Sequence, residues 1–344
     1  MRTRASPLLA LVAIAAGWLF AALPAMAETA ADFYRGKTLR IVIGVGVGGG
    51  FDAYAHMLAP SLARETGANV LVESLPGAGQ LVALNRVYAA PPDGLSILFL
   101  NGTPAALGQI LEQDNARYDL TKMEHLGIVN ASPWMWLAGP KSRILSPGDA
   151  MAPGRKVLWG GTGPTGGLAD GASLSCEALK LDCKVILGYK SSSDVVLAVE
   201  RGELDSIYVS DSSAVHYVHA GRTNAVAAMS RQRSKLLPEA PAIFDILNLS
   251  PAAAAMLDFR SALDSIGRIL VATPGVPEDR LAFLRQAVRT VLTDPAVIAE
   301  GASSERLIDF RDADTARQMT LRALTGISPE EKAVVRAAVL DKYR

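Results

Sequence analysis

The sequence has little of what metal-binding, catalytic or nucleic-acid-binding chains usually carry. Only two cysteines and four histidines occur among its 344 residues. His216 and His219 stand at an i, i+3 spacing without a third ligand nearby, while His56 and His125 are isolated, so no metal set is expected. Neither sign of charge is in excess, with 34 Lys and Arg against 34 Asp and Glu. A nucleic-acid binder would instead show a clustered basic stripe, so no nucleic-acid partner is expected. The chain contains no G-x-S-x-G nucleophile elbow, no H-E-x-x-H helix, no internal repeat and no low-complexity tract. Those absences point away from an enzyme, although a triad built from distant residues leaves no such trace.

What is present begins at the N-terminus. Arg2 and Arg4 precede an apolar run from Leu8 to Leu23 that ends in Ala25-Met26-Ala27. This is the pattern of a secretory leader, residues 1–27, cut after Ala27 to leave a periplasmic protein that starts at Glu28. Thr3 separates the two arginines, so the signal is not of the twin-arginine kind and the chain crosses the membrane unfolded. A cofactor loaded in the cytoplasm is therefore not expected, and none is assigned. Cys176 and Cys183 are destined for an oxidising compartment. Two states fit them: a disulfide from the end of a helix to the following strand, or a pair of buried thiols.

Short apolar strands alternate with amphipathic helices through the mature chain, the pattern of a layered α/β protein with mainly parallel sheets. Leu39–Ile43, Asn69–Glu73 and Ser96–Leu100 read as strands, each followed by a loop and a helical stretch. Leu126–Val129 and Trp134–Ala138 are extended, and Pro140, Pro147 and Pro153 then mark a crossing between domains. A second series follows at Val157–Trp159, Lys184–Leu187 and Ser206–Val209, after which the chain is expected to return from about Ala225 to Met229 and on through a Pro-containing stretch, with Ile269–Ala272 a further strand. Ser191-Ser192-Ser193-Asp194 reads as a helix N-cap with an acid in the first turn. Trp134 and Trp136 stand two apart on one extended stretch; one is expected to line a cleft and the other to pack in a core.

Three strand-to-helix loops carry the chemistry. Gly44-Val45-Gly46-Val47-Gly48-Gly49-Gly50-Phe51-Asp52 lies between a strand and a helix, where glycines admit close backbone approach and unpaired helix N–H groups favour an anion. The same stretch satisfies G-x-G-x-x-G through Gly44, Gly46 and Gly49, with Glu73 at the end of the next strand. That is the competing reading, an NAD(P)- or flavin-dependent oxidoreductase. Against it stands a second glycine turn, Pro76-Gly77-Ala78-Gly79-Gln80, and a third loop, Asn101-Gly102-Thr103. Three such loops at one sheet edge describe an anion-binding lip better than a hydride-transfer site.

These segments resemble the Bug-type periplasmic receptors of tripartite tricarboxylate transporters. The resemblance is carried by Phe33-Tyr34-Arg35-Gly36-Lys37, the Gly48-Gly49-Gly50-x-Asp52 loop, Glu73 with Pro76-Gly77-Ala78-Gly79, and Pro92-Asp93-Gly94. It continues through Gly188-Tyr189-Lys190, Gly202-Glu203-Leu204-Asp205 and Thr273-Pro274-Gly275-Val276-Pro277. It implies a two-lobed periplasmic-binding-protein clamshell of type II character, with lobe one formed by residues 28–134 and 240–344 and lobe two by 135–239. It also implies a monomer that binds a small organic carboxylate and serves the large and small membrane subunits of such a transporter.

Carried onto this sequence, the ligand site would comprise Gly48, Gly49, Gly50, Phe51 and Asp52, then Gly77, Ala78, Gly79 and Gln80, with Asn101 and Thr103 from the third loop. Thr162, Gly163 and Thr165 would supply a helix end from lobe two, and Asp211 would face the cleft. Ser74-Leu75 stands where Asn-Arg is usual, which removes an arginine, and Phe51 adds bulk. A mono- or dicarboxylate with an apolar or aromatic body is expected instead of a tricarboxylate.

Overall fold

A computed structural model describes residues 29–344. The leader and its cleavage point lie outside the described residues.

Two five-stranded sheets organise the chain. The first comprises β1 (Thr38–Ile43), β2 (Asn69–Ser74), β3 (Ser96–Asn101), β4 (Glu124–Asn130) and, from far along the sequence, β10 (Arg268–Ala272). Their spatial order is β2-β1-β3-β10-β4, with β10 antiparallel to both neighbours and the β1 pairings parallel. The second sheet holds β5 (Trp134–Ala138), β6 (Lys156–Gly160), β7 (Asp182–Ile186), β8 (Ser206–Ser210) and β9 (Asn224–Ala228). Its order, β7-β6-β8-β5-β9, repeats the plan of the first, with β5 as the antiparallel member. The fold is thus an α/β clamshell of two equivalent lobes, although the sequence shows no repeat.

The central strands are apolar on both faces because helices cover both. Ile41, Ile43, Ile97 and Phe99 point into one core with the helices Gly50–Thr66 and Glu278–Thr293. Val42, Leu98 and Leu100 point the other way, into a core continuous with the second sheet. Period-two alternation in buried strands is what divides the two cores. Trp136 lies in the second core, donating its indole N–H to Ser206 Oγ at 3.0 Å and packing on Trp159.

Asn224–Ala228 is β9, the edge of the second sheet, inside the 135–239 span expected for lobe two. Its apolar residues carry no mark of direction, and only its pairing with β5 reveals where it belongs. The C-terminus also reaches the second sheet: Val185 N donates to Tyr343 O at 2.7 Å, and Tyr343 OH donates to Glu177 at 2.7 Å. Cys176 and Cys183 form a disulfide that ties the helix Gly167–Leu179 to β7. Among the described residues no helix is long and apolar enough to cross a membrane.

Candidate ligand-binding cleft

Between the lobes, at the carboxyl ends of β1, β3, β6 and β8, lies a cavity of about 50 Å³. In open α/β sheets this is the edge where ligands bind. Two helices begin at it without side-chain caps. Gly49 caps the helix Gly50–Thr66 with no hydrogen bond from a side chain, and Gly166 does the same for Gly167–Leu179. The first N–H to find a backbone acceptor in the former is that of Ala53, to Gly49 O at 3.1 Å. The preceding amides of Gly50, Phe51 and Asp52 therefore have no partner within the helix. Gly50 and Gly167 both line the cavity, one from each lobe. By contrast, the helix Ser192–Arg201 that also starts here is closed by its own Ser191–Asp194 capping box.

Glycine is required at these two helix starts by space. A Cβ at Gly50 would collide with Ser213 Oγ, and one at Gly167 would lie 2.6 Å from both Asn101 Nδ2 and Trp134 Cη2.

Arg268, the first residue of β10, is the one charged side chain among those lining the cavity. It is 5% exposed. Its Nη2 donates to Ser210 Oγ at 2.7 Å and its Nη1 to Asn130 Oδ1 at 3.1 Å, while Nε has no partner. Phe51 and Tyr54 face the guanidinium at 5.1 and 4.7 Å. Neither hydrogen-bond partner is charged. Burial pulls the Arg268 pKa below the ordinary guanidinium value, opposed by Tyr54 and by the Asp211 carboxyl, which acts from beyond ion-pair distance. Sequence reasoning missed this residue. The available signal was a lone cation heading the apolar strand Ile269–Ala272, where neither face is solvated.

Of the residues expected at the site, Gly49, Gly50, Phe51, Gln80, Asn101 and Thr162 reach the cavity. The others do different work. Gly48 donates its N–H to Asp52 Oδ2 at 2.9 Å and accepts from Ser193 Oγ at 2.6 Å across the lobes. Asp52 is thereby turned back on its own loop, where it also approaches His56 at 3.2 Å. Gly77, Ala78 and Gly79 have φ values of 149, 46 and 67°, a left-handed run that brings Gly79 against Gly163 and Gly166 of the other lobe. That second glycine loop is a seam between lobes. Thr165 Oγ1 joins it, donating to Gln113 at 2.8 Å.

Thr103 is buried and donates to Asp264 at 3.3 Å. Asp211 is not among the residues lining the cavity: its Oδ2 accepts from Ser234 Oγ at 2.9 Å, and burial raises its pKa. Ser210 and Ser213 of the same turn line the cavity in its place. Trp134 is the tryptophan at the cavity, stacked on Tyr208 with centroids 5.4 Å apart.

The premise of a dinucleotide site does not survive the geometry of its glycines. The space over Gly44 is filled by Gln80, whose Cβ lies 2.6 Å from where a Gly44 Cβ would be, and Gly46 donates its N–H to Lys190 O at 2.8 Å. Glu73 faces Arg40 at 3.7 Å. These glycines let protein approach protein. His216 and His219 both turn their Nδ1 toward Glu305, at 3.3 and 3.1 Å, instead of toward a common metal position.

Comparison with known proteins places this architecture. A family model described as "Tripartite tricarboxylate transporter family receptor" matches residues 54–305. A UPF0065 protein of Bordetella pertussis is 24% identical over 286 residues, covering 81% of this chain and 83% of that protein. Among solved structures, MatC of Rhodopseudomonas palustris with bound malate superposes with a TM-score of 0.73 at 20% identity, covering 87% of this chain and 99% of that one. A second R. palustris protein, with adipate, gives a TM-score of 0.72 at 15% identity, covering 88% and 97%.

Proposed function

The chain belongs to the receptor family of tripartite tricarboxylate transporters, and from that premise we propose that it captures a small organic carboxylate in the cleft between its lobes. It does so as an exported, periplasmic protein and delivers the ligand to the large and small membrane subunits of a transporter. The observation that carries this reading is the pair of uncapped helix N-termini at Gly50 and Gly167, facing one cavity beside the Arg268 guanidinium. Each helix end presents unpaired N–H groups and a partial positive charge, and every other lining side chain is neutral. An anion is the complement of such a site. The malate and adipate bound by the two R. palustris proteins fit the same ligand class.

In this mechanism a carboxylate lands on the free amides of the lobe-one helix. Lobe two then closes until Gly163 and Gly166 meet Gly79, which shuts water out. The free energy that drives closure is the difference in ligand affinity between closed and open forms.

A thermal-shift panel tests the proposal. Organic acids at about 100 times their Kd are expected to raise stability by about 2.7 kcal/mol, while nicotinamide and flavin nucleotides leave it unchanged. Stabilisation by nucleotides alone would overturn the receptor reading.

A further inference from the structure

The cavity holds one full positive charge and no negative one. Arg268 is its only ionisable lining residue, and the hydroxyl and amide groups of Ser191, Ser210, Ser213, Gln80 and Asn101 are neutral. A buried cation ordinarily has a carboxylate beside it, because removal from water is otherwise uncompensated. Arg268 has instead two neutral acceptors and two aromatic faces, and its Nε donor is unused. The Nε–Nη2 edge is the part of a guanidinium that grips a carboxylate with two parallel hydrogen bonds. Nη2 lies 3.5 Å from the position a Gly50 Cβ would take, so the Nη2 end of the guanidinium sits at the free N-terminus of the lobe-one helix.

We infer that Arg268 pairs directly with the ligand carboxylate and that the ligand is a compact monocarboxylate. This rests on the receptor reading and narrows it. The lobe-one helix end and Arg268 together form one anion position. The lobe-two helix end lies instead against Trp134 and Asn101, with Leu168 and Val209 adding apolar surface to the cavity. A second carboxylate would have only a partial helix charge to offset its lost hydration. An apolar body meets no such difficulty there. The arginine absent at Ser74-Leu75 is thus replaced from a different element, β10.

Calorimetry on the mature wild-type chain with length-matched probes tests this: butyrate against succinate, hexanoate against adipate, benzoate against terephthalate, each beside its neutral amide. The best monocarboxylate is expected to bind at least about 10-fold tighter than its diacid and about 100-fold tighter than its amide. Arg268→Gln should lose about 100-fold in affinity for that acid, and Arg268→Lys should recover about 10-fold of the loss, keeping the charge without the two-pronged edge.

A diacid that binds tighter than its monoacid overturns the ligand class. An Arg268→Gln variant within about 3-fold of wild type overturns the direct pair, and leaves carboxylate capture standing. If the variant does not fold, wild-type binding of an amide as tightly as its acid overturns the pair by itself. Failure of every acid to bind wild type sinks the receptor reading along with this one.

Discussion

Arg260 and Arg268 are both buried, eight residues apart in the chain, and their surroundings are opposite. Arg260 is 1% exposed and donates Nε to Asp170 Oδ1 at 2.9 Å, Nη1 to Asp264 and Nη2 to Gly167 O at 3.4 Å. Trp134 and Tyr208 cover its faces, each at 5.1 Å. Two carboxyls share this one guanidinium, so the cluster holds more acid than base. Burial pushes Asp170 up to about 7 and Asp264 up to about 6, with Arg260 opposing in both cases. Arg268 has no carboxylate within ion-pair distance, Asp211 acting only from beyond it, and an unused donor. Burial with compensation marks an arginine that builds the fold; burial without it marks one whose counter-ion arrives from outside.

The sharpest way to break that contrast is to remove each charge in turn. Arg260→Gln leaves Asp170 and Asp264 buried without their cation and is expected to cost about 3–5 kcal/mol in urea unfolding. A loss below about 1 kcal/mol would show that the two arginines do not differ in kind. Arg268→Gln should reverse the pattern, with unfolding free energy changed by less than about 1 kcal/mol while carboxylate affinity falls about 100-fold.

The seam offers a third test, because closure sets both arginines at the interface of the lobes. A Cβ at Gly163 would overlap the backbone of Ala78 and Gly79. Gly163→Val should therefore hold the lobes apart, seen as a larger radius in small-angle scattering, and weaken carboxylate binding about 10-fold by denying the closed form. Unchanged affinity would mean that closure contributes nothing to capture.

The smallest effect is on pH dependence. Asp170 has a folded pKa raised to about 7, above the unfolded value of about 3.9. The folded state then holds an extra proton between these values, so its contribution to stability is complete below about pH 4 and is lost as pH rises toward 7. Subtracting the Asp170→Asn stability curve from that of wild type should expose this downward slope, no steeper than about 1.4 kcal/mol per pH unit. An upward slope over that window would mean that Arg260 dominates the carboxyl and that burial does not.

Much of the fold was legible because it is local. Strand periodicity located β1, β2 and β3, and the Ser191–Asp194 cap was visible as a cap, since its partners are neighbours in sequence. The first glycine loop was legible as a helix start with free amides for the same reason: a helix beginning on glycines leaves them unpaired wherever it lies. The role of Gly77 to Gly79 was not, because a glycine turn reads alike whether it admits a ligand or another glycine turn. The position of Asp211 outside the cavity lining was not legible for a related reason. A turn of alternating serine and aspartate does not say which side chain enters the cleft, and here the Ser234 hydroxyl draws the acid away.

By itself the sequence determined the alternation of strands and helices, the glycine-rich helix start at Gly50 and the supply of polar but uncharged loops, all set by interactions within a few residues. Only the tertiary structure decided that Arg268 would stand at that helix end. It is separated from Gly50 by more than two hundred residues and arrives there because β10 inserts antiparallel between β3 and β4. Side-chain chemistry is written locally, but the place where a charge lacks its partner is a property of the folded interior.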